Sequence, residues 1–125
     1  MNKKHILIID DEESTCKAVS RVLKIENFDV TFLTDGEKGF DFIFKNKNND
    51  KKTDILITDI QMPGMNGIEL INKLDENEID IPIIVITAHY EKELIKEFQN
   101  TAKIKFLEKP FGSIDLLKII KEVNF

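Results

Sequence analysis

The chain has 125 residues, of which 42% are hydrophobic and 33% are charged, and its formal net charge is −5. This length fits one ordinary domain, residues 1–125, with a single full core. The acidic balance argues against direct binding of nucleic acid, and no apolar segment approaches the roughly 18 residues that cross a bilayer. Cys16 is the only cysteine, which excludes an internal disulfide and, with only two histidines, a zinc site. The apolar run after Lys3 and Lys4 is too short for a signal peptide, so we expect a reducing, cytoplasmic location.

Five short apolar segments predict buried strands, and the segment after each predicts a helix. The predicted strands cover residues 5–9, 28–33, 55–57, 83–86 and 104–107. The predicted helices cover residues 14–26, 36–45, 67–77, 91–99 and 114–123. Regular alternation of this kind is typical of a parallel sheet with helices on both faces. Because several strands are apolar at successive positions, we expect both faces of the sheet to be covered.

The connections carry recognisable turn and cap residues. Asn27 is expected to take a left-handed conformation after the first helix, because Asn commonly replaces Gly there. Asp35, Asn66 and Ser113 are expected to cap the second, third and fifth helices. Residues 45–53 are rich in Lys, Asn and Asp, which predicts a solvated, mobile loop.

Polar side chains stand at the end of four predicted strands: Asp10 and Asp11, Asp59, Thr87 and Lys109. In a parallel sheet these ends share one edge, where ligands of open α/β sheets bind. Three carboxylates suit a hard cation such as Mg²⁺, and a hydroxyl and an ammonium suit phosphoryl oxygens. A carboxylate can itself become an aspartyl phosphate. Each residue alone also has a structural explanation: a helix N-terminal charge, a turn, or a surface lysine.

Four segments in this order and spacing resemble the receiver domain of two-component response regulators. They are Ile8-Ile9-Asp10-Asp11-Glu12, Asp59-Ile60-Gln61-Met62-Pro63-Gly64-Met65-Asn66-Gly67, Ile86-Thr87-Ala88 and Phe106-Leu107-Glu108-Lys109-Pro110-Phe111. The resemblance covers essentially the whole chain. It implies an α/β, flavodoxin-like fold: a doubly wound, five-stranded parallel sheet of order 2-1-3-4-5 with helices on both faces.

The resemblance also implies a role for each residue of the site. Asp59 would accept a phosphoryl group from a histidine kinase or phosphotransfer protein. Asp11, Asp59 and the main-chain carbonyl of Gln61 would ligate Mg²⁺, with Mn²⁺ as an alternative, and Asp10 would help through a water. Thr87 and Lys109 would bind phosphoryl oxygens, and the bond between Lys109 and Pro110 would be cis.

Signalling is expected to depend on Thr87 and Gln61 again and on two further residues, Phe106 and His89. Thr87 and Phe106 would form the switch that alters the surface of the fourth predicted helix, the fifth strand and the fifth predicted helix, although Phe106 could equally be an ordinary sheet aromatic. Gln61 and His89 would tune the lifetime of the phosphorylated state, and a solvated histidine is the alternative for His89. His5, at the opposite strand end, is assigned no role.

The partners are less defined by the sequence than the site is. The fifth predicted helix has two apolar sets, 114/117/120 and 116/119/123, which cannot all face inward. One set would then be exposed to a dimer partner, a downstream effector or a missing C-terminal domain. The alternative is that the helix is simply buried deeply. We expect a phosphoacceptor that assists its own phosphorylation and dephosphorylation, not an enzyme acting on a metabolite. The alternatives are a phosphorylation-independent docking module and an aspartyl-phosphate phosphatase; the latter is disfavoured because Gln61 replaces the acid such enzymes need.

Overall fold

The computed structural model describes residues 3–87 and 103–123. Within them five strands and four helices follow one another along the chain. The strands are β1 (His5–Ile9), β2 (Asp29–Leu33), β3 (Ile55–Asp59), β4 (Ile83–Thr87) and β5 (Ile104–Glu108). The helices are α1 (Glu13–Ile25), α2 (Gly36–Lys45), α3 (Gly67–Glu76) and α4 (Ser113–Lys121). The helix predicted over residues 91–99 lies outside the described residues, so α4 is the helix that the sequence predicts as the fifth.

All strand pairs are parallel, and the order in the sheet is β2-β1-β3-β4-β5. This confirms the fold and the strand order that the resemblance implied. The register pairs Ile9 with Thr58 and Thr87 with Glu108, so that the last residues of β1, β3, β4 and β5 lie along one edge. We call this the carboxyl edge of the sheet.

The sheet has a separate apolar cluster on each face, as the near-continuous apolar strands predict. Leu7, Ile9 and Leu56 face one cluster, which α2 and α3 complete. Ile6, Ile8 and other strand residues face the second cluster, which α1 and α4 complete. The strands alternate between the two faces residue by residue, which places helices on both sides. Among the described helices, none is long and apolar enough to cross a bilayer.

Three of the predicted helix ends are confirmed and one is corrected. Asp35 caps α2, and its carboxylate accepts from the N–H of Lys38 at 3.0 Å. Asn27 has φ 70°, and the N–H of Phe28 donates to the carbonyl of Leu23 at 3.1 Å, which closes α1 as a Schellman motif. Asn66 caps α3 in a capping box with Glu69. At α4 the predicted cap is wrong by one residue: Gly112 is the N-cap, and its N–H donates to the Asp115 carboxylate at 3.2 Å.

The segment between α2 and β3 is solvated in its middle, as its composition predicts, and is anchored at both ends. Its middle is exposed, but Asn46 and Thr53 at its ends are buried. The buried imidazole of His5 links the end of this segment to β2: Nδ1 lies 3.3 Å from the carbonyl oxygen of Lys52, and Nε2 lies 2.9 Å from Oγ1 of Thr31. His5 thus has a structural place at the edge of the sheet opposite the carboxyl edge.

Helix α4 uses neither of the two predicted apolar sets intact. Leu116 and Ile120, one from each set, are its fully buried residues. Ile114 is 81% exposed. The expectation of an exposed apolar stripe is therefore wrong for the helix as a whole, because the inward face falls between the two sets and leaves Ile114 as its large exposed apolar residue.

Candidate functional site

Three carboxylates converge at the carboxyl edge because β1 and β3 are neighbours. Asp10 and Asp11 follow β1, and Asp59 is the last residue of β3. One oxygen of each lies within 4.8 Å of the others. Asp10 is fully buried, Asp59 is 8% exposed, and Asp11 is exposed to solvent. The cluster is thus built on rigid strand ends and open on the side of Asp11.

Lys109 bridges two of these carboxylates. Its Nζ lies 3.4 Å from Oδ2 of Asp10 and 3.3 Å from Oδ2 of Asp59. Its main chain is fixed as well, since its N–H donates to the carbonyl of Thr87 at 2.7 Å. The bond between Lys109 and Pro110 is cis. The lysine therefore crosses from the end of β5 to the ends of β1 and β3.

The electrostatics of the cluster follow from burial and from these contacts. Burial raises the pKa of Asp10, and the charge of Asp59 adds to that effect, while the N–H of Glu12 and the ammonium of Lys109 oppose it. Partial burial disfavours the charged form of Lys109, but the carboxylates of Asp59 and Asp10 outweigh it and raise the pKa of the lysine. The ammonium partly compensates two close carboxylates that would otherwise repel one another.

The donor set fits a hard divalent cation. Carboxylate oxygens are what Mg²⁺ prefers, and it commonly binds through one or two carboxylates while keeping several waters. Three carboxylate oxygens within 4.8 Å, with the exposed Asp11 on the open side, provide both the charge and the access that such an ion needs. Asp10, Asp11 and Asp59 are the residues that would hold it.

The other predicted site residues are arranged around this cluster. Thr87, at the end of β4, is 4% exposed. Gln61 is exposed, and its N–H donates to Oδ1 of Asp59 at 3.3 Å. Phe106 is partly buried on β5 and packs on the cluster completed by α2 and α3. His89 lies outside the described residues. The structure therefore brings Asp10, Asp11, Asp59 and Lys109 into contact range and places Thr87 and Gln61 at the same edge.

A groove beside the site was missed from the sequence. It is an open groove of about 370 Å³ between α1 and the residues after β5, and Lys109 is one of the residues that line it. Its walls are mostly small or apolar: Ser14, Thr15, Ala18, Val19, Pro110 and Phe111. The available signal was the run of small residues on the first helix, but nothing in the sequence places that face against Phe111.

The sequence as a whole matches a known family over nearly its full length. Residues 6–121 match the family model described as the response regulator receiver domain. The chain belongs to this family. This confirms the resemblance deduced from the motifs at the carboxyl edge.

Individual relatives of this receiver agree in fold and differ in length. The transcriptional regulatory protein FixJ of Rhizobium meliloti (strain 1021) is 32% identical over 94% of this chain, but the match covers 55% of FixJ. The sporulation initiation phosphotransferase F of Bacillus subtilis (strain 168) is 26% identical over 98% of this chain and 94% of its own length. The structure of the chemotaxis protein CheY4 of Vibrio cholerae superposes with a TM-score of 0.85 at 26% identity, covering 98% of this chain and 99% of that one. The chain thus spans about half of FixJ and almost all of two other relatives.

Proposed function

We propose that this receiver is the phosphoacceptor of a two-component phosphorelay and that Asp59 receives the phosphoryl group. The observation that carries this proposal is the position of Asp59 on the carboxyl edge. Its carboxylate lies within 4.8 Å of two further carboxylates and 3.3 Å from the Lys109 ammonium. A nucleophilic carboxylate beside a cation site and a mobile positive charge is the arrangement that phosphoryl transfer to Asp requires.

In the proposed reaction an oxygen of Asp59 attacks the phosphorus of a phosphohistidine on a kinase or phosphotransfer protein. The new O–P bond forms as the N–P bond breaks, and the imidazole leaves. Mg²⁺, or Mn²⁺ in its place, held by Asp11, Asp59 and the main-chain carbonyl of Gln61, with Asp10 acting through a water, would supply charge neutralisation. Lys109 exchanges its carboxylate contacts for a phosphoryl oxygen, and the Thr87 hydroxyl donates to another.

The output of this reaction would start at Thr87 and Phe106. Movement of Thr87 toward the phosphoryl group would open space beside β4, into which the partly buried ring of Phe106 could turn. The surface around β5 and α4 would change accordingly and would be read by a downstream effector, a second copy or a C-terminal domain. Gln61 and His89 would tune the lifetime of the phosphorylated state. The cytoplasmic location that the sequence suggests stays a prediction.

Intact-mass measurement tests the chemistry directly. Incubation with Mg²⁺ and acetyl phosphate should add one phosphoryl group that hydroxylamine removes. Asp59→Asn should abolish the adduct, whereas Asp54→Asn, immediately before the first residue of β3 and at the opposite edge of the sheet, should leave it unchanged. Folded protein that gains no adduct would instead support a docking module that works without phosphorylation.

The groove beside Lys109 is the proposed docking surface for the protein that donates the phosphoryl group. Lys109 lines the groove, and its ammonium lies 3.3 Å from Oδ2 of Asp59, so a protein held in the groove would be close to the proposed phosphoacceptor. Ala18→Arg should lower the rate of transfer from a phosphotransfer domain at least about tenfold, since a charged side chain would fill an apolar contact. The rate with acetyl phosphate should stay unchanged, and an equal loss with both donors would contradict a docking role.

The lifetime proposal has a test of its own. Changing Gln61 and His89 together to Ala should alter the rate at which phosphorylated Asp59 loses its phosphoryl group, which intact mass follows over time. An unaltered rate would remove both residues from this role.

A further inference from the structure

We infer that two buried side-chain donors, Cys16 and Thr58, are positioning residues that hold the main chain of Asp10 and Asp59 in the geometry for binding a divalent cation. The inference rests on the proposed metal site and adds to it two residues that do not touch the cation. In each case a side chain donates to the carbonyl of one acidic residue of the cluster. Both donors are fully buried.

The first contact ties α1 to the end of β1. The thiol of Cys16 donates to the main-chain carbonyl of Asp10, with Sγ 3.4 Å from the oxygen. The same Asp10 is held elsewhere: its N–H donates to the carbonyl of Leu33 at 3.2 Å, and its Oδ1 accepts from the N–H of Glu12 at 2.9 Å. The thiol thus completes a set of bonds that fixes Asp10 at its amide, its carbonyl and its carboxylate.

The second contact lies within β3. The hydroxyl of Thr58 donates to the carbonyl of Asp59 at 3.0 Å. That carbonyl is also packed against Gly67, where an added Cβ would stand 2.5 Å from the oxygen. The N–H of Ile60, in the same peptide unit as the Asp59 carbonyl, donates to the carbonyl of Ile86 at 3.1 Å. The peptide that leads from Asp59 into the next loop is therefore fixed on both of its polar atoms.

Holding a carbonyl fixes the orientation of the peptide that follows it, because the peptide unit is planar. The peptide after Asp10 leads into Asp11, whose exposed carboxylate forms the open side of the cluster. The peptide after Asp59 leads toward Gln61. Both donors therefore act on the two turns from which the remaining proposed ligands come.

Both contacts lie away from solvent, since Cys16 and Thr58 are fully buried. The sulfur of Cys16 lies 3.4 Å from the Asp10 carbonyl oxygen, which the thiol reaches as a donor. A buried carbonyl that loses its donor is left unsatisfied, and the turn that contains it is free to rearrange. Thiols are weak donors, so the sulfur contact is expected to matter less than the Thr58 hydroxyl.

The chain offers a matched control for each residue. Ser20 lies on α1 one turn beyond Cys16, and Thr53 lies at the end of the loop before β3; both are buried. Ser20 Oγ and Thr53 Oγ1 have no hydrogen-bond partner within residues 3–87 and 103–123. Ser20→Ala and Thr53→Val therefore remove a buried polar atom without touching the carboxyl edge.

The decisive measurement is the dissociation constant for Mg²⁺, obtained by NMR titration of the unphosphorylated protein. Thr58→Val and Cys16→Ala should weaken Mg²⁺ binding by about tenfold and at least about threefold, respectively, as removal of a group that orients a metal ligand commonly does. Cys16→Ser, which keeps a donor, should bind like the wild type. Ser20→Ala and Thr53→Val should also bind like the wild type, even if their midpoints of unfolding fall.

Four results would overturn the inference or separate it from the proposed function. Folded Thr58→Val and Cys16→Ala proteins that bind Mg²⁺ as tightly as the wild type would overturn it, as would equal losses in the Ser20 and Thr53 controls. If the variants do not fold, the wild type still decides. The hydroxyl proton of a buried, hydrogen-bonded Thr58 should exchange slowly enough with water to give an NMR signal. The lack of that signal would refute the contact. A wild type that binds no Mg²⁺ would instead refute the proposed metal site.

Discussion

Asp10 is needed for the proposed metal site, but burial of its charge lowers the stability of the fold. It is a fully buried carboxyl whose pKa is raised mainly by burial and then by the charge of Asp59. A carboxyl with a raised pKa in the folded state disfavours folding once it is ionised. We therefore expect Asp10→Asn to raise the free energy of unfolding at pH 7 without Mg²⁺ by about 1 kcal/mol, the scale of gain common at functional sites.

The pH dependence gives this prediction its sign. Above the raised pKa of Asp10 the wild-type charge is present and the variant should be more stable. Below the ordinary value of 3.8, Asp10 is neutral in both the folded and the unfolded state, and the difference should vanish. Urea unfolding between about pH 3 and pH 8 measures the difference on both sides of this range, with Asp41→Asn, an exposed acid on α2, as the control. A variant less stable than the wild type at pH 7 would contradict the assigned cost of burial.

At the scale of elements, the contact between α2 and the loop after β3 reverses the change in stability that helix propensity alone predicts for a substitution at Gly36. A Cβ on Gly36 would lie 2.6 Å from the carbonyl oxygen of Met65, a backbone atom that cannot swing away. Propensity favours Gly36→Ala by up to about 1 kcal/mol, but overpacking against backbone costs about 1–3 kcal/mol. We expect a net loss in the free energy of unfolding, measured with urea.

Gly39→Ala on the same helix is the comparison. Its Cβ would meet Cδ1 of Ile9, the far end of a side chain that can change rotamer. The loss should therefore be smaller than for Gly36→Ala. Equal or greater stability of Gly36→Ala relative to the wild type would show that α2 can move away from the loop at little cost.

Helix ends show where sequence-based prediction works and where it stops. Asn27 was predicted to be left-handed because Asn tolerates that conformation, and its φ is 70°. Glu78 ends α3 with φ 57° and with the same bond pattern, its following N–H donating to the carbonyl of Leu74 at 2.9 Å. No local signal marks a Glu for this role, because Glu is not among the residues that commonly adopt a left-handed conformation. The buried ends of the 45–53 loop escaped prediction because their burial depends on contacts with residues distant in the sequence, such as that of His5 with Lys52.

At the scale of the whole molecule, the residues of the carboxyl edge were predictable because a parallel sheet gathers strand ends by topology. The buried residues that orient them were not predictable. The contacts of Cys16 and Thr58 are to main-chain carbonyls, and a carbonyl leaves no trace in the identity of its residue. The groove beside Lys109 likewise depends on how α1 packs beside Phe111. The sequence thus predicts which groups meet at the edge, and the structure adds what orients them.

Mg²⁺ binding should reverse the order of stability of the wild type and Asp10→Asn. Because Mg²⁺ would bind the folded chain through groups that repel one another without it, it should stabilise the wild type by about 2.7 kcal/mol at one hundred times its dissociation constant. Asp10→Asn should gain much less, since it lacks one of the three carboxylates. The variant should therefore be the more stable protein without Mg²⁺ and the less stable one at saturation.

Urea unfolding at increasing Mg²⁺ concentration measures the point at which the two stabilities cross. Glu13→Gln, a change of an acid on α1 outside the cluster, should respond to Mg²⁺ as the wild type does. Parallel curves for the wild type and Asp10→Asn would mean that Asp10 takes no part in holding the ion.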